Sequence, residues 1–347
     1  MKKPLISVVI AAYNAEGFLN SAIESVLDQP LKELEIVVVN DGSKDNTESV
    51  CAEAAKRDSR VKYYTIENSG AGHARNCGVS HAEGDWVMFL DSDDLYLKDS
   101  LDQSLKVYLA DAEQEGVQIV YTSKCTADMN LSHSFVYDRL ENPLENGWMP
   151  TLAFWTGIYS RSLLVSQNIQ FYEYRKQDIE TAFRYLTYSK ASKTALKPEL
   201  CFYVQRLYPA SNTHTWNMQN LHEIECKVYY DLYLNHATPS AQEYLKNMFL
   251  REMSAYYKDC FRNGVVDPQG YQDIEKIRKK TWKYTSVSPL FGKRHYYAQM
   301  VKRFLLKFKS RPVQKTGTGT SSSASPHQEP EDLKEKLAAL SQFVRTL

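Results

Sequence analysis

Four apolar runs recur through the first 97 residues, and each one stops at polar residues. Residues 5–11, LISVVIA, form an unbroken run rich in β-branched side chains. A strand with one face in water would alternate, so an unbroken run predicts a strand buried on both faces. Tyr13 and Asn14 end it. Phe18, Ala22, Ile23, Val26 and Leu27 then fall at helical spacing. Residues 34–39, LEIVVV, give a second buried strand, closed by Asn40-Asp41-Gly42-Ser43, a polar turn whose glycine tolerates positive φ. Residues 45–55 predict the next helix and 61–66 a third strand. The stretch 67–78, ENSGAGHARNCG, reads as a loop before another short helix. Residues 86–90, WVMFL, give the fourth strand. This alternation predicts an α/β fold with a doubly wound, mainly parallel sheet. Such sheets bind ligands beyond the carboxyl ends of their strands. Ala11, Tyr13, Asp41 and Asp91 to Asp94 all fall at those ends.

The segment FLDSDD, residues 89–94, places three carboxylates in four positions directly after a buried strand. Like charges this close repel, and desolvation adds to the cost. A metal ion, a basic side chain or solvent on an exposed turn would offset them. Ser92 or Asp94 could also serve as a helix N-cap.

Composition narrows the function classes. The chain has 347 residues, 43% hydrophobic and 24% charged, enough for a large core and for two domains. Its 42 basic and 42 acidic residues balance, which argues against a general nucleic-acid binder. Six cysteines lie far apart with no CxxC pair, and read as reduced thiols rather than zinc ligands. The opening MKKPLISVVIAAYN mimics a short leader, but its apolar run is brief and turn chemistry follows at once. No run approaches the roughly 20 apolar residues of a spanning helix. A soluble intracellular protein is the expectation. Gly70-x-Gly72 has Arg75 where a dinucleotide fingerprint needs its third glycine, and no GxxxxGK[ST] loop is present.

The segments SVVIAAYNAEGFLNSAIESVLDQ, EIVVVNDGSKDNT and NSGAGHARNCGVSHAEGDWVMFLDSDD together resemble the successive motifs of family 2 glycosyltransferases with the GT-A fold. The likeness runs from residue 5 to about 97 and fades beyond about 215. It implies a nucleotide-sugar donor whose departing diphosphate is balanced by Mn2+ or Mg2+, hard cations that prefer oxygen ligands. By resemblance Asp93 is the direct metal ligand, and Asp91 faces the metal or the ribose. Ser92 and Asp94 support the site or meet the donor sugar. Asp41 would accept the imide N–H of uracil, with Tyr13 stacked near the base and Ala11 beside it. Arg75, the arginine of ARN, would lie near the nucleotide or its phosphates, where a guanidinium suits the geometry; a surface arginine is the alternative.

An inverting displacement also needs a base for the acceptor hydroxyl. Within FYEYRKQDIETAFRYL, Asp178 matches the family's acidic position, with Gln177 replacing the usual Glu. Ile179, Ala182, Phe183 and Leu186 follow as a helical stripe. A helix N-terminus would keep Asp178 ionised; otherwise it is a cap and Glu180 a surface charge. Upstream, MPTLAFWTGIYSRSLL resembles the segment lining the acceptor side, where Trp155 stacks on a sugar or belongs to the core. In FYVQRLYPASNTHTWN, Arg206, Ser211 and His214 are diphosphate-side candidates, His214 as an extra metal ligand or as an ordinary structural histidine.

The C-terminal third differs in kind. Segments such as HEIECKVYYDLYLNHA have helical spacing and predict a helical region over 216–310 after a catalytic domain over 1–215, itself a nucleotide half, 1–97, and an acceptor half, 98–215. Residues 289–315 carry eight Lys or Arg and no acidic residue, with aromatic and aliphatic side chains between them. They would lie on an anionic membrane surface or pack on the domain with a solvated basic face. Residues 311–330 form a flexible low-complexity linker. Leu333, Leu337, Leu340, Val344 and Leu347 repeat at heptad spacing over 331–347, a short helix for self-association or a frayed tail.

The resemblance implies a metal-dependent inverting transferase that moves a hexose or N-acetylhexosamine from a UDP-sugar to a glycan or lipid-linked glycan acceptor. The setting would be bacterial capsule, exopolysaccharide or lipopolysaccharide synthesis, in the cytoplasm or at the inner face of the membrane. A non-catalytic sugar-nucleotide-binding or assembly protein of the same fold is the alternative. A nucleotidylyltransferase would need a glycine-rich basic loop after the first strand, and AAYNAEGF lacks one.

Overall fold

In the computed structural model the residues described are 3–128, 136–138, 153–173, 180–207, 218–263, 265 and 267–281. The chain divides into two compact units, Met1–Trp216 and Asn217–Leu347.

The first unit is built on a sheet. Strands β1 (Ile6–Ala12), β2 (Leu34–Asn40), β3 (Val61–Thr65) and β4 (Trp86–Asp91) pair in parallel in the order β3-β2-β1-β4. All seven residues of β2 are buried, Glu35 and Asn40 included, so the strand is covered on both faces. The brief apolar run near the N-terminus is β1 itself, at the middle of this parallel set.

Beyond β4 the sheet becomes mixed. It continues through β8 (Gly157–Ser160), β6 (Ile119–Asp128), β9 (Thr194–Leu207) and the two-residue β5 (Leu95–Tyr96), with β7 (Val136–Asp138) beside β6. β8 is antiparallel to both its neighbours, β9 is parallel to β6, and β5 is antiparallel to β9. Helices α1 (Leu19–Leu27), α2 (Thr47–Arg57), α3 (Ala71–His81), α4 (Gln103–Gln114), α5 (Arg161–Ser166) and α6 (Thr181–Lys190) complete the unit.

Two local readings change. α2 begins two residues later than its pattern suggests, because Asp45 is spent on the turn before it: its carboxylate accepts from the Thr47 amide at 3.1 Å and hydroxyl at 2.6 Å. The glycine-rich stretch read as a loop is mostly α3. Gly70 turns the chain into it with φ 97°, while Gly72 and Gly78 serve close packing. A Cβ on Gly78 would lie 2.3 Å from Val9 Cγ1, and one on Gly72 would lie 2.7 Å from the Tyr172 carbonyl oxygen.

Phe89 of β4 centres an aromatic core. The rings of Phe154, Tyr159, Phe171 and Phe183 meet it edge-on, with centroids 5.3 to 5.9 Å away.

In the second unit, α7 (Met218–Asp231), α8 (Gln242–Asn263) and α9 (Pro268–Thr281) bury Cys226, Tyr256, Tyr257, Cys260 and Ile274. The helical spacing of this region is thus realised over 218–281. The basic stretch 289–315, the linker 311–330 and the heptad-like 331–347 lie outside the described residues. All six cysteines are free thiols. Among the described residues no helix is long and apolar enough to cross a membrane.

Candidate active site

The carboxyl ends of the parallel strands gather most of the sequence candidates. Ala11 pairs in register with Asp91 on one side and Val39 on the other. Tyr13, just past β1, is 50% exposed. Asn14 follows with φ 50°, its side-chain oxygen accepting from the Lys44 amide at 2.8 Å and its own amide donating to Ser43 Oγ at 3.0 Å. This interlocks the β1–α1 loop with the β2–α2 loop and fixes the approach to Tyr13. Asparagine tolerates that backbone region better than most residues.

The acidic cluster sits where β4 ends. Asp91 is its last residue, and the Asp94 amide donates to the Asp91 carbonyl at 3.0 Å, closing a tight turn. Ser92 and Asp93 are half-buried at its tip. The Arg75 guanidinium, itself almost fully buried, donates to Asp91 Oδ1 at 2.7 Å and lies over the Phe154 ring at 4.4 Å. Arg75 is therefore a buried partner of the cluster, not a surface arginine, and supplies one of the compensating charges that the sequence demanded.

Asp94 points inward and is 5% exposed. Tyr203 donates to its Oδ2 at 2.6 Å, and the Arg206 amide to its Oδ1 at 2.8 Å. Burial, reinforced by the charges of Asp91 and Asp93, pushes its carboxyl up to about 8 despite those two hydrogen bonds.

Three candidates have partners within the protein. Asp41 is 2% exposed, and its oxygens accept from the Ser69 amide at 2.7 Å and the Gly70 amide at 2.9 Å. The carboxylate expected at a base is thus holding the loop that starts α3. Trp155 is 7% exposed and stacked on Tyr203, centroids 4.1 Å apart, which fits its core alternative better than a sugar platform. Arg206 uses its backbone at Asp94, while its buried guanidinium lies 5.6 Å from the Phe18 ring centroid.

Asp178 and His214, with Ser211, lie outside the described residues. Glu180, two positions after Asp178, is more than a surface charge: Oε2 accepts from the Phe154 amide at 3.2 Å, and Oε1 is 3.4 Å from Arg184.

Sequence reasoning missed Tyr203 and Asn76. Asn76 clasps the Phe171 backbone, donating to its carbonyl at 2.9 Å and accepting from its amide at 2.8 Å. Neither role has a local signal, because each depends on a partner 95 or more positions away.

The family described as glycosyl transferase family 2 matches residues 7–166, the stretch that forms β1 to β4 and carries the acidic cluster. Residues 7–166 belong to that family. Among relatives of this family 2 domain, an uncharacterized glycosyltransferase of Haemophilus influenzae is 36% identical over 138 residues, 36% of this chain and 55% of its own. TuaG of Bacillus subtilis, named as a teichuronic acid biosynthesis glycosyltransferase, is 42% identical over 105 residues, 30% of this chain and 42% of its own. The chain spans about half the length of these curated relatives. A solved structure of S. aureus TarS residues 1–349 in complex with UDP-GlcNAc has the same fold, with TM-score 0.59 and 19% identity over 78% of this chain and 81% of that one. The family 2 fold is GT-A-like, and here a helical region follows it.

The family implies a divalent cation, and the residues can be tested against one. Among the described residues no three His, Cys, Asp or Glu gather closely enough to enclose an ion. A small hard cation needs only one or two carboxylates when a diphosphate and water supply its other ligands. Asp91 keeps 30% of its side chain exposed even beside Arg75, and Asp93 is half-buried. This donor set fits a cation shared with a diphosphate.

Proposed function

We propose that the chain is a metal-dependent inverting glycosyltransferase of bacterial surface-polysaccharide synthesis, moving a hexose or N-acetylhexosamine from a UDP-sugar to a growing glycan. The reading rests on one observation above all. Three carboxylates and an exposed aromatic stand at the carboxyl ends of two adjacent strands, β4 and β1, in a domain of family 2.

In this reading Asp93 and Asp91 hold Mn2+ or Mg2+, with His214 as a further candidate. The cation, when bound, balances the charge of the leaving nucleoside diphosphate. Tyr13 offers its exposed ring to the base, and Arg75 orients Asp91 through their ion pair. Ala11 and Ser92 line the donor side. Asp178 takes the proton from the acceptor hydroxyl as that oxygen attacks the anomeric carbon. The TarS complex with UDP-GlcNAc supports a nucleotide-sugar donor through fold alone. The naming of TuaG supports a cell-surface glycan acceptor. Lipid-linked acceptors would bring the protein to the cytoplasmic membrane face, with 289–315 as the contact.

Calorimetric titration of UDP, GDP and dTDP, with and without Mn2+, tests this on wild type and Asp93→Asn. UDP binding that needs Mn2+ and vanishes in Asp93→Asn is the expected result. Absence of nucleotide binding under all conditions would sink the reading. Transfer abolished by Asp178→Asn with UDP binding intact would separate an enzyme from a binding protein.

A further inference from the structure

Both oxygens of Asp94 are held by one strand, β9. The Tyr203 hydroxyl donates to one and the Arg206 amide to the other. The same Tyr203 oxygen accepts from the Asp91 amide at 3.3 Å. A phenol has one proton to give and lone pairs to receive, so this oxygen fills both roles at once. Its position is fixed by the ring, which is fully buried, stacked on Trp155 at 20° and edge-on to Tyr96 at 6.3 Å. Tyr96 and Tyr203 are also register partners of β5 and β9. The acidic turn therefore hangs between two fixed points, β4 at Asp91 and β9 through Tyr203.

We propose that Tyr203 is the positioning residue of the acidic cluster. It anchors Asp94 inward as a scaffold and fixes the Asp91 backbone, and so sets the direction in which Asp91 and Asp93 face a cation–diphosphate. This rests on the donor-site reading above. It adds that Asp94 is not a ligand, and that the second half of the sheet controls the cation site through one hydroxyl. A ligating carboxylate must present a free lone pair outward, whereas Asp94 is 5% exposed and turned to β9. Partners of this kind typically alter metal affinity by about 10- to 100-fold when removed.

The test is calorimetric titration of UDP, with and without MnCl2, on wild type, Tyr203→Phe and Tyr96→Phe. Tyr96 is also a buried tyrosine, whose hydroxyl donates to the Phe89 carbonyl at 3.2 Å. In Tyr203→Phe, UDP affinity in Mn2+ is expected to fall by about tenfold or more, while the residual binding without Mn2+ stays as weak as in wild type. Tyr96→Phe should lose thermal stability and keep the wild-type ratio of the two affinities. A Tyr203→Phe protein with wild-type Mn2+ dependence overturns the proposal and leaves the donor site standing. A wild type without Mn2+-dependent UDP binding overturns both. Should Tyr203→Phe fail to fold, 19F NMR of 3-fluorotyrosine placed at position 203 decides. Its resonance should move on adding UDP with MgCl2 and stay with UDP alone, and an unmoved resonance overturns the proposal.

Discussion

Arg75 on α3 and Asp91 at the end of β4 form a buried ion pair, 2.7 Å from Nη2 to Oδ1, with Phe154 beneath the guanidinium. The pair links the helix read as a loop to the carboxylates that define the site. Arg75→Lys keeps a charge but loses the planar stack and the fork of donors. Leaving one partner of a buried pair uncompensated costs on the order of 3 kcal/mol. Urea unfolding should show a loss of that size in Arg75→Ala and a smaller one in Arg75→Lys. Mn2+-dependent UDP affinity should fall about tenfold or more. Wild-type stability would mean that the pair is not buried in solution.

Gly78 packs α3 against β1. On an exposed helix, Gly→Ala stabilises by about 1 kcal/mol through propensity. Here the new methyl would sit 2.3 Å from Val9 Cγ1. Overpacking should reverse the sign, to a loss of about 1–3 kcal/mol. Gly17, with nothing within 4 Å of its Cβ position, serves as the neutral control. Adding Val9→Ala should restore part of the loss in Gly78→Ala, a coupling that a double-mutant cycle measures.

Glu35 lies on β2, with the Ser7 hydroxyl at 2.5 Å, the Glu83 amide at 2.6 Å and Lys62 at 2.9 Å. Burial alone would raise its carboxyl, but these donors outweigh it and hold the group below its ordinary value. A depressed folded value contributes stability above the unfolded value of about 4.3. That stability is lost as pH falls through the folded value. Glu35→Gln should lower stability at neutral pH by about 2 kcal/mol. It should also flatten the acid limb of the stability–pH curve below about pH 4.3. Denaturant unfolding from pH 3 to 7 reads both effects.

How much was legible follows from the range of each signal. The parallel strands were readable because burial on both faces leaves non-alternating apolar runs, as in WVMFL. The acidic cluster was readable because three carboxylates after such a run are costly anywhere else. α3 was not, because glycine's low helix propensity hides a helix whose glycines exist for contact with Val9 and Tyr172. The mixed half was not, since β5 has two residues and β9 contains Pro198, so neither carries a periodic signal. Tyr203 reads locally as one aromatic in a strand. Only the pairing of β5 with β9 brings it to Asp94.

Asp41 separates a scaffold role from a ligand role. Its two oxygens accept the amides of Ser69 and Gly70, and Gly70 immediately precedes α3. Asp41→Asn keeps the shape but sets an NH2 group against one of these donors. A buried donor left unpaired costs about 1–3 kcal/mol. In a unit of this size each kcal/mol lowers the melting temperature by roughly 2–4 °C. A scaffold role predicts that fall together with faster hydrogen exchange at Ser69 and Gly70, and equal losses in affinity for UDP and for GDP. A base contact predicts an unchanged melting temperature and a loss confined to UDP. The 2% exposure of Asp41 favours the first outcome, and melting curves with the two nucleotide titrations distinguish them.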